Sequence, residues 1–294
     1  MKFGVREICD VVFKAKATVK IGNTEFQKGQ PVLYIDTAKT SNLEAAATTV
    51  YATGGRGNTR LIAWEGEKTL TFTVEDALLS PMGFAMLSGA GLIDAKKDAK
   101  TICVHGTAYA LAASTTGIID LTEALDGATL DETKPLFVMT TETDGSLDMF
   151  QKEAYTYTAG KLTPVDAEAA PKNKTVFVDF YMSKTDGAMQ FEIDGDNFAG
   201  YYYVEAATLW RRQDNGKDMP AELIFPNVKI QSNFTFAMAS TGDPSTFTFT
   251  MDAMPGYTVY DSTKKVLCAI QVIADTEEEA ANAVDSIKNA EAGE

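Results

Sequence analysis

Apolar and polar residues alternate over several short stretches of the chain. In residues 13–21 every second residue is apolar, and lysine or threonine fills the positions between. Residues 69–74 alternate in the same way, with Leu70, Phe72 and Val74 opposite three threonines. Because the side chains of a strand point alternately to the two faces of a sheet, this pattern predicts half-buried strands. The fold is therefore expected to be mainly β.

The most regular alternation occurs in "NFTFAMASTGDPSTFTFTMDA", residues 233–253. Two runs place Phe or Met opposite Thr or Ala, and Gly-Asp-Pro at 242–244 joins them, which predicts an antiparallel hairpin within residues 228–252. One face is expected to pack in the subunit's own core, and the other to form an uncharged wall. The expected core residues are Phe234, Phe236, Met238, Phe247, Phe249 and Met251, and the wall residues are Thr235, Thr248 and Thr250.

One helix and one long loop are predicted in the N-terminal third. Ser80 before Pro81 is typical of an N-cap followed by proline at the first helical position, and Gly89 is a typical helix end. Residues 37–59 are rich in Ala, Thr and Gly without periodicity, which predicts a loop. Because loops of this length are usually functional or disordered, we expect this one to become ordered on a neighbouring subunit. Arg56 and Arg60 are its candidate inter-subunit residues.

Changes in composition and in the alternation pattern along the chain indicate its domain organisation. Residues 94–174 contain small residues and short alternating runs and end in the linker-like "TPVDAEAAPKNK", which predicts an inserted β-rich subdomain. The core domain is then discontinuous, formed by residues 1–93 and 175–274. Residues 275–294 contain seven acidic residues and one lysine, so we expect an acidic C-terminal tail, either a frayed helix or disordered, that adds little to folding.

Composition narrows the class of protein. A formal net charge of −15 over 294 residues argues against a protein that binds nucleic acid along a basic groove. Three widely spaced cysteines without a CxxC pair indicate reduced, mostly buried thiols in a reducing compartment. No uninterrupted apolar segment opens the chain and no apolar run approaches a membrane span, so neither a signal peptide nor a membrane partner is expected.

Candidate chemistry is sparse. His105 is the only histidine and lies in "CVHGT", which resembles an ordinary strand. The glycine-rich "GGRGN" at 54–58 lacks the Lys-Ser/Thr of a phosphate-binding loop, and no helix is predicted after it. We therefore expect no enzyme, no catalytic residues, no cofactor and no metal, and a structural role.

Three segments resemble tail tube proteins of contractile-tailed bacteriophages, a fold group that includes the type VI secretion tube protein. They are "FPNVKIQSNFTFAMASTGDPSTFTFTMDA" (225–253), "EGEKTLTFTVEDALLSPMGFAMLSGAG" (65–91) and "LWRRQDNGKDMPAELIFPN" (209–227). Together they cover about a third of the chain. The resemblance implies a tail-tube-like β-sandwich or barrel with one flanking α-helix and an inserted β-rich subdomain that faces outward.

The resemblance also implies a virion structural protein, a tail tube subunit. Such subunits form homohexameric rings that stack into the conduit for genome ejection, through which DNA passes without specific binding. A tail sheath protein is the expected partner, and the protein is expected in the virion tail after assembly in the host bacterial cytoplasm. Two alternatives stay open: a phage head protein (capsid or decoration), and a carbohydrate-binding or hydrolytic β-sandwich.

Overall fold

The computed structural model describes residues 2–22, 24–89, 91–141, 145–193, 195–235, 238, 240–241 and 246–273. In chain order the elements are β1 (Phe3–Val5), β2 (Asp10–Ala15), β3 (Val19–Ile21), β4 (Thr24–Phe26), β5 (Pro31–Ile35), β6 (Ala38–Gly54), β7 (Thr59–Asp76), α1 (Pro81–Ser88), β8 (Gly91–Asp94), β9 (Ile102–Leu111), β10 (Ile119–Asp120), α2 (Thr122–Leu125), β11 (Thr129–Leu130), β12 (Phe137–Thr141), β13 (Leu147–Gln151), a 3-10 helix (Lys152–Ala154), β14 (Tyr155–Thr158), β15 (Lys161–Pro164), β16 (Thr175–Lys184), β17 (Met189–Glu192), β18 (Tyr201–Arg212), β19 (Asp218–Ile230), β20 (Phe247–Ala253) and β21 (Ala269–Val272). The prediction of a mainly β protein is confirmed.

The chain divides into two compact units. Unit 1 combines Met1–Leu92 with Phe191–Glu294, and unit 2 is Ile93–Gln190. We expected the inserted subdomain to end at residue 174, but unit 2 ends at Gln190, 16 residues later. The reason is that β16 pairs along its whole length with β9. The strand we expected to resume the core domain thus belongs to unit 2.

Unit 1 is built on an antiparallel sheet that has nine strands within the described residues. The strand order is β5-β2-β18-β19-β20-β7-β6, with β1 also beside β18 and β21 also beside β19. The end strands β5 and β6 are consecutive in the chain, and only residues 36 and 37 separate them. The sheet must therefore curl until its two ends approach each other. A hydrogen bond from the Cys9 N–H to Ser41 Oγ (3.0 Å) joins the start of β2 to β6.

Aromatic residues fill the inside of this curled sheet. The Phe72 and Phe225 rings stack with centroids 4.9 Å apart, and Phe13 lies 5.8 Å from Phe249. Helix α1 spans Pro81–Ser88, and Ser80 Oγ accepts a hydrogen bond from the Gly83 N–H (2.9 Å) as its N-cap. The apolar half of each alternating strand therefore packs in one core, as half-buried strands require.

Unit 2 has its own core. One sheet has the order β11-β16-β12-β13 with β9 beside β16, and a second has the order β10-β15-β14. The buried side chains between them include Leu121, Val138, Leu162, Val176, Val178 and Phe180. Strands β8 and β17 form a separate two-stranded sheet, as do β3 and β4.

Candidate functional site

The longest element of unit 1 is the β6–β7 hairpin. Its two strands pair from Ala38 opposite Asp76 to Gly54 opposite Thr59. The expectation that residues 37–59 form a loop is therefore wrong. At the tip, Gly55, Gly57 and Asn58 have positive φ angles of 76°, 88° and 51°, which these residue types tolerate at tight turns.

The two halves of the hairpin differ in burial. In the inner half Phe72 and Val74 are fully buried in the unit 1 core. In the outer half, residues 49–54 and 59–65, every residue except Ala52 and Gly54 is exposed, and the exposure extends inward to residue 44 on β6 and residue 69 on β7. A strand exposed on both faces needs no alternation of apolar and polar residues, which is why the sequence of β6 resembled a loop.

Apolar side chains collect on one face of the outer half. Val50 pairs with Trp64, and Ala52 with Ile62. Val50, Ile62 and Trp64 are 63, 55 and 54% exposed, although they are large. Cross-strand neighbours share a face, so these side chains form one patch, the outer hairpin patch. Clustered exposed apolar groups of this kind mark a surface that another molecule covers.

The predicted inter-subunit residues lie at the tip of this hairpin. Arg56 is in the turn and is exposed. The Arg60 guanidinium lies 4.1 Å from the centroid of the Tyr51 ring, a cation–π contact. Both arginines therefore lie at the exposed tip of the hairpin.

A bulge separates the two halves. The register shifts between the pair Ala47–Lys68 and the pair Thr49–Glu65, so Gly66 and Glu67 together oppose Thr48. The Glu67 N–H donates to Thr48 Oγ1 (3.0 Å). A Cβ atom at Gly66 would lie 2.5 Å from the same oxygen, so any larger residue there would require the Thr48 side chain to move. Bulges bend a strand and increase its twist, and this one lies where the outer half begins.

The second predicted feature, the antiparallel hairpin within residues 228–252, is present in part: β19 and β20 pair antiparallel through residues 228–230 and 251–253, and Phe234 and Thr235 are not in a strand. Strand β20 pairs with β7 from Phe247 to Asp252, and with β19 at residues 251–253. Next to this pairing, the Gln231 N–H donates to the Thr250 carbonyl (2.8 Å). Phe234 packs against Phe84 of α1, with 5.5 Å between the ring centroids.

The two runs of the Phe/Thr motif thus have different positions. In β20 Phe247, Phe249 and Met251 are 8, 1 and 0% exposed. In the first run Phe234 is partly buried, Phe236 lies outside the described residues, and Met238 is 91% exposed rather than in the core. Thr235 is exposed and is not in a strand.

Thr248 and Thr250 lie on the polar face of the sheet. Their cross-strand neighbours on β7 and β6 share that face, and three of the nine residues are acidic: Thr40, Asn42, Glu44, Thr71, Thr73, Glu75, Thr248, Thr250 and Asp252. On the β19 side this set is bordered by Lys229, which lies opposite Asp252. We call this set the threonine face. Hydrogen bonds from Thr246 Oγ1 (2.5 Å) and Thr40 Oγ1 (3.1 Å) lower the pKa of Glu75 by stabilising its charged form.

The described residues contain little that could support catalysis. His105 Nε2 lies 3.1 Å from Asp179 Oδ2 on an exposed face of unit 2. No group of three or more His, Cys, Asp or Glu residues within the described ranges could hold a metal ion. Burial raises the pKa of Cys9 and raises that of Cys268 to about 11, whereas Cys103 is exposed, contrary to the expectation of mostly buried thiols.

Two further expectations concern a membrane span and the C-terminal tail. Within the described part of the chain, no helix is long and apolar enough to cross a membrane. The acidic tail predicted at 275–294 lies outside the described residues.

The fold and the exposed hairpin define a mainly β protein with a large apolar patch on its surface. The chain belongs to the YomU/Tube protein family, a phage tail tube family, whose model matches residues 4–266. The match encloses all of unit 2, including the segment that the three resembling motifs did not cover. A comparison with curated proteins gave no match. Membership of a tail tube family implies self-assembly and a location in the virion tail.

Proposed function

We propose that the chain is the tail tube subunit itself, and that its copies form stacked hexameric rings enclosing the conduit for DNA ejection. The outer hairpin patch carries this proposal. A two-stranded ribbon with no core beneath it is marginally stable in water. Large exposed apolar groups on such a ribbon are favourable only when a neighbouring molecule covers them.

The outer half of the hairpin is the contact between subunits in this proposal. The patch of Val50, Ile62 and Trp64 supplies apolar area, and Arg56 and Arg60 at the tip supply charge. A chain with net charge −15 offers many carboxylates that could pair with these two arginines on a neighbouring copy.

The threonine face is the proposed wall of the conduit. It is polar, and its three charged residues are acidic against one bordering lysine, Lys229, so its net charge repels DNA rather than retaining it. Thr248 and Thr250 lie on this face, and we extend the proposal to the exposed Thr235. DNA therefore passes without specific binding. A wall that bound phosphates would hold the genome back.

Unit 2 is the proposed outer part of the tube. A lumen lined by the threonine face has no room for a second folded unit, so Ile93–Gln190 faces solvent or a tail sheath protein. Assembly in the host cytoplasm accords with cysteines that are unpaired within the described residues.

Electron microscopy of hairpin variants tests the assembly. Ile62→Glu puts a charge on the outer hairpin patch and should abolish rings and tubes while the subunit stays folded, as judged by circular dichroism. Ala63→Glu adds the same charge to the opposite face of the hairpin and is the matched control. Tubes of normal length from Ile62→Glu would show that the patch is not a subunit contact.

The wall is tested at Thr250. Thr250→Lys should leave the subunit folded but put six positive charges around each hexameric ring, so DNA ejection slows or assembly fails. Thr250→Val keeps the size of the side chain without charge and should behave like the natural protein. Particles carrying Thr250→Lys that eject DNA at the normal rate would place Thr250 outside the lumen.

A further inference from the structure

A lysine-rich groove of about 630 Å³ lies on unit 1, and none of its lining residues is acidic. Four lysines and two tyrosines contribute to it: Lys14, Lys16, Lys28, Lys265, Tyr203 and Tyr257. The chain as a whole carries 41 acidic and 26 basic residues. Because lysines are the charged residues that line the groove, and the chain as a whole is acidic, the groove favours an acidic occupant.

Two of the four lysines are not paired with any described residue. Lys14 forms an ion pair with Glu205, and the Lys265 ammonium lies 5.5 Å from the centroid of the Tyr257 ring. Lys16 and Lys28 are exposed, and neither forms an ion pair within the described part of the chain. Desolvation lowers the pKa of Lys16, because partial burial penalises the charged ammonium. A carboxylate placed beside these two ammonium groups would stabilise both.

The chain carries a suitable occupant. Residues 275–294 contain seven acidic residues and one lysine, a net charge of −6, and three consecutive glutamates occupy 277–279. We propose that this acidic segment docks in the lysine-rich groove, either of its own chain or of a neighbouring copy. Charge complementarity selects this segment over the rest of the chain.

The segment is long enough to reach. The Ile273 N–H donates to the Pro220 carbonyl (2.8 Å), which fixes the point from which the segment departs. Pro226, which lines the groove, is six residues further along β19 and so about 20 Å away at 3.3 Å per residue. The 21 residues from 274 to 294 span up to about 70 Å when extended. The segment is therefore long enough to dock in the groove of its own chain or in that of a neighbouring copy.

The contact is best detected by covalent capture. Exposed ion pairs are weak and are screened by salt, so melting curves would change little. A carbodiimide joins a lysine amine to a touching carboxylate as an amide, with the oxygen of the lost water transferred to the carbodiimide as a urea. The full-length protein is treated at low salt, and the links are mapped by mass spectrometry. We expect links from Lys16 or Lys28 to Glu277, Glu278 or Glu279, reduced about fivefold or more at about 0.5 M salt.

Paired charge variants provide the control. Lys16→Glu/Lys28→Glu should remove the links from the segment to the two remaining groove lysines. Lys97→Glu/Lys100→Glu makes the same change of charge on exposed residues of unit 2 and should leave those links intact. Equal loss in both variants would mean general attraction rather than docking. Links from 275–294 spread evenly over surface lysines, or links from the groove lysines to a different part of a second copy, would also overturn the proposal. The test does not depend on tube formation.

Discussion

The inner and outer halves of the β6–β7 hairpin belong to one continuous pair of strands but obey different constraints. In the inner half Phe72 and Val74 are buried, and the residues that alternate with them, Thr71, Thr73 and Glu75, belong to the threonine face. In the outer half both faces are exposed, yet the ladder continues to Gly54 and Thr59. Backbone pairing alone can extend a ribbon past its core. Burial decides only how stable that ribbon is.

The inner half of the hairpin therefore contributes to folding of the subunit, whereas the outer half is available for assembly. The inner half belongs to a sheet with β20 on its other side, so the core stabilises it. The outer half has one hydrogen-bonded partner strand and no core, which leaves its free energy of formation near zero. Under the proposed function, a neighbouring subunit supplies the missing burial. The comparison can be tested by changing each half in turn.

The largest effect is expected where β20 meets the inner half. Phe249 is 1% exposed and pairs with Val74. Phe249→Asp places a carboxylate without a partner in the core, so we expect loss of more than about 4 kcal/mol and failure of unit 1 to fold. Urea denaturation followed by the fluorescence of Trp210, in β18, measures this.

Thr250→Asp is the control for that variant. It adds the same charge to the neighbouring position on the polar face of β20, opposite Thr73. Its cost should stay within about 1 kcal/mol, because the group remains hydrated. Equal destabilisation by both substitutions would show that the threonine face is as critical to folding as the core.

Truncating one apolar side chain in each half should give the next largest difference in the free energy of unfolding. Phe72→Ala removes a fully buried ring that stacks on Phe225 and should cost about 3–5 kcal/mol. Ile62→Ala removes an exposed side chain and should change the stability of the free subunit by less than about 1 kcal/mol, although it weakens assembly. Urea midpoints and tube yields measure the two effects separately. A large loss of subunit stability in Ile62→Ala would mean that the outer half packs within its own chain.

The same contrast explains what could be predicted from the sequence. Alternation identified the inner half of β7 and β20, and capping residues identified α1, because these signals are local. Residues 38–54 were missed because a strand exposed on both faces has no periodic pattern. The pairing of β20 with β7 was missed because alternation identifies a strand but not its partner, and β7 is distant in the chain. Strand β16 looked like any half-buried strand, and only its pairing with β9 assigns it to unit 2.

The candidate site was predicted in part for the same reason. Arg56 and Arg60 were singled out as contact residues, although in a loop rather than a hairpin. The outer hairpin patch was not found, because Val50, Ile62 and Trp64 form a patch only once the register of the hairpin is known. A pair of apolar residues on each strand, close to a glycine-rich turn, was the available signal.

Hydrogen exchange distinguishes the halves without mutation. Amides of the inner half, 70–76, should be protected in both the free subunit and the assembly, because β20 and β6 pair with them. Amides of the outer half should exchange at least about tenfold faster in the free subunit and become protected in tubes. Equal protection of the outer half in both states would show that no neighbour stabilises it.

The smallest effect is expected at the bulge that divides the halves. Gly66→Ala places a methyl group against Thr48 Oγ1, so the hydroxyl must move and its hydrogen bond with the Glu67 N–H is lost. The cost should be about 1 kcal/mol, partly offset because alanine restricts the unfolded chain. It should appear as faster exchange of the outer half and fewer tubes.

A double-mutant cycle identifies the cause of that effect. Thr48→Ala removes the hydroxyl, so adding Gly66→Ala to it creates no clash and should be neutral or slightly stabilising. The coupling between the two positions, measured from urea midpoints and from exchange at residues 59–65, should then be about 1 kcal/mol. Additive effects would mean that the bulge tolerates a side chain and that glycine at position 66 does not control where the outer half leaves the core.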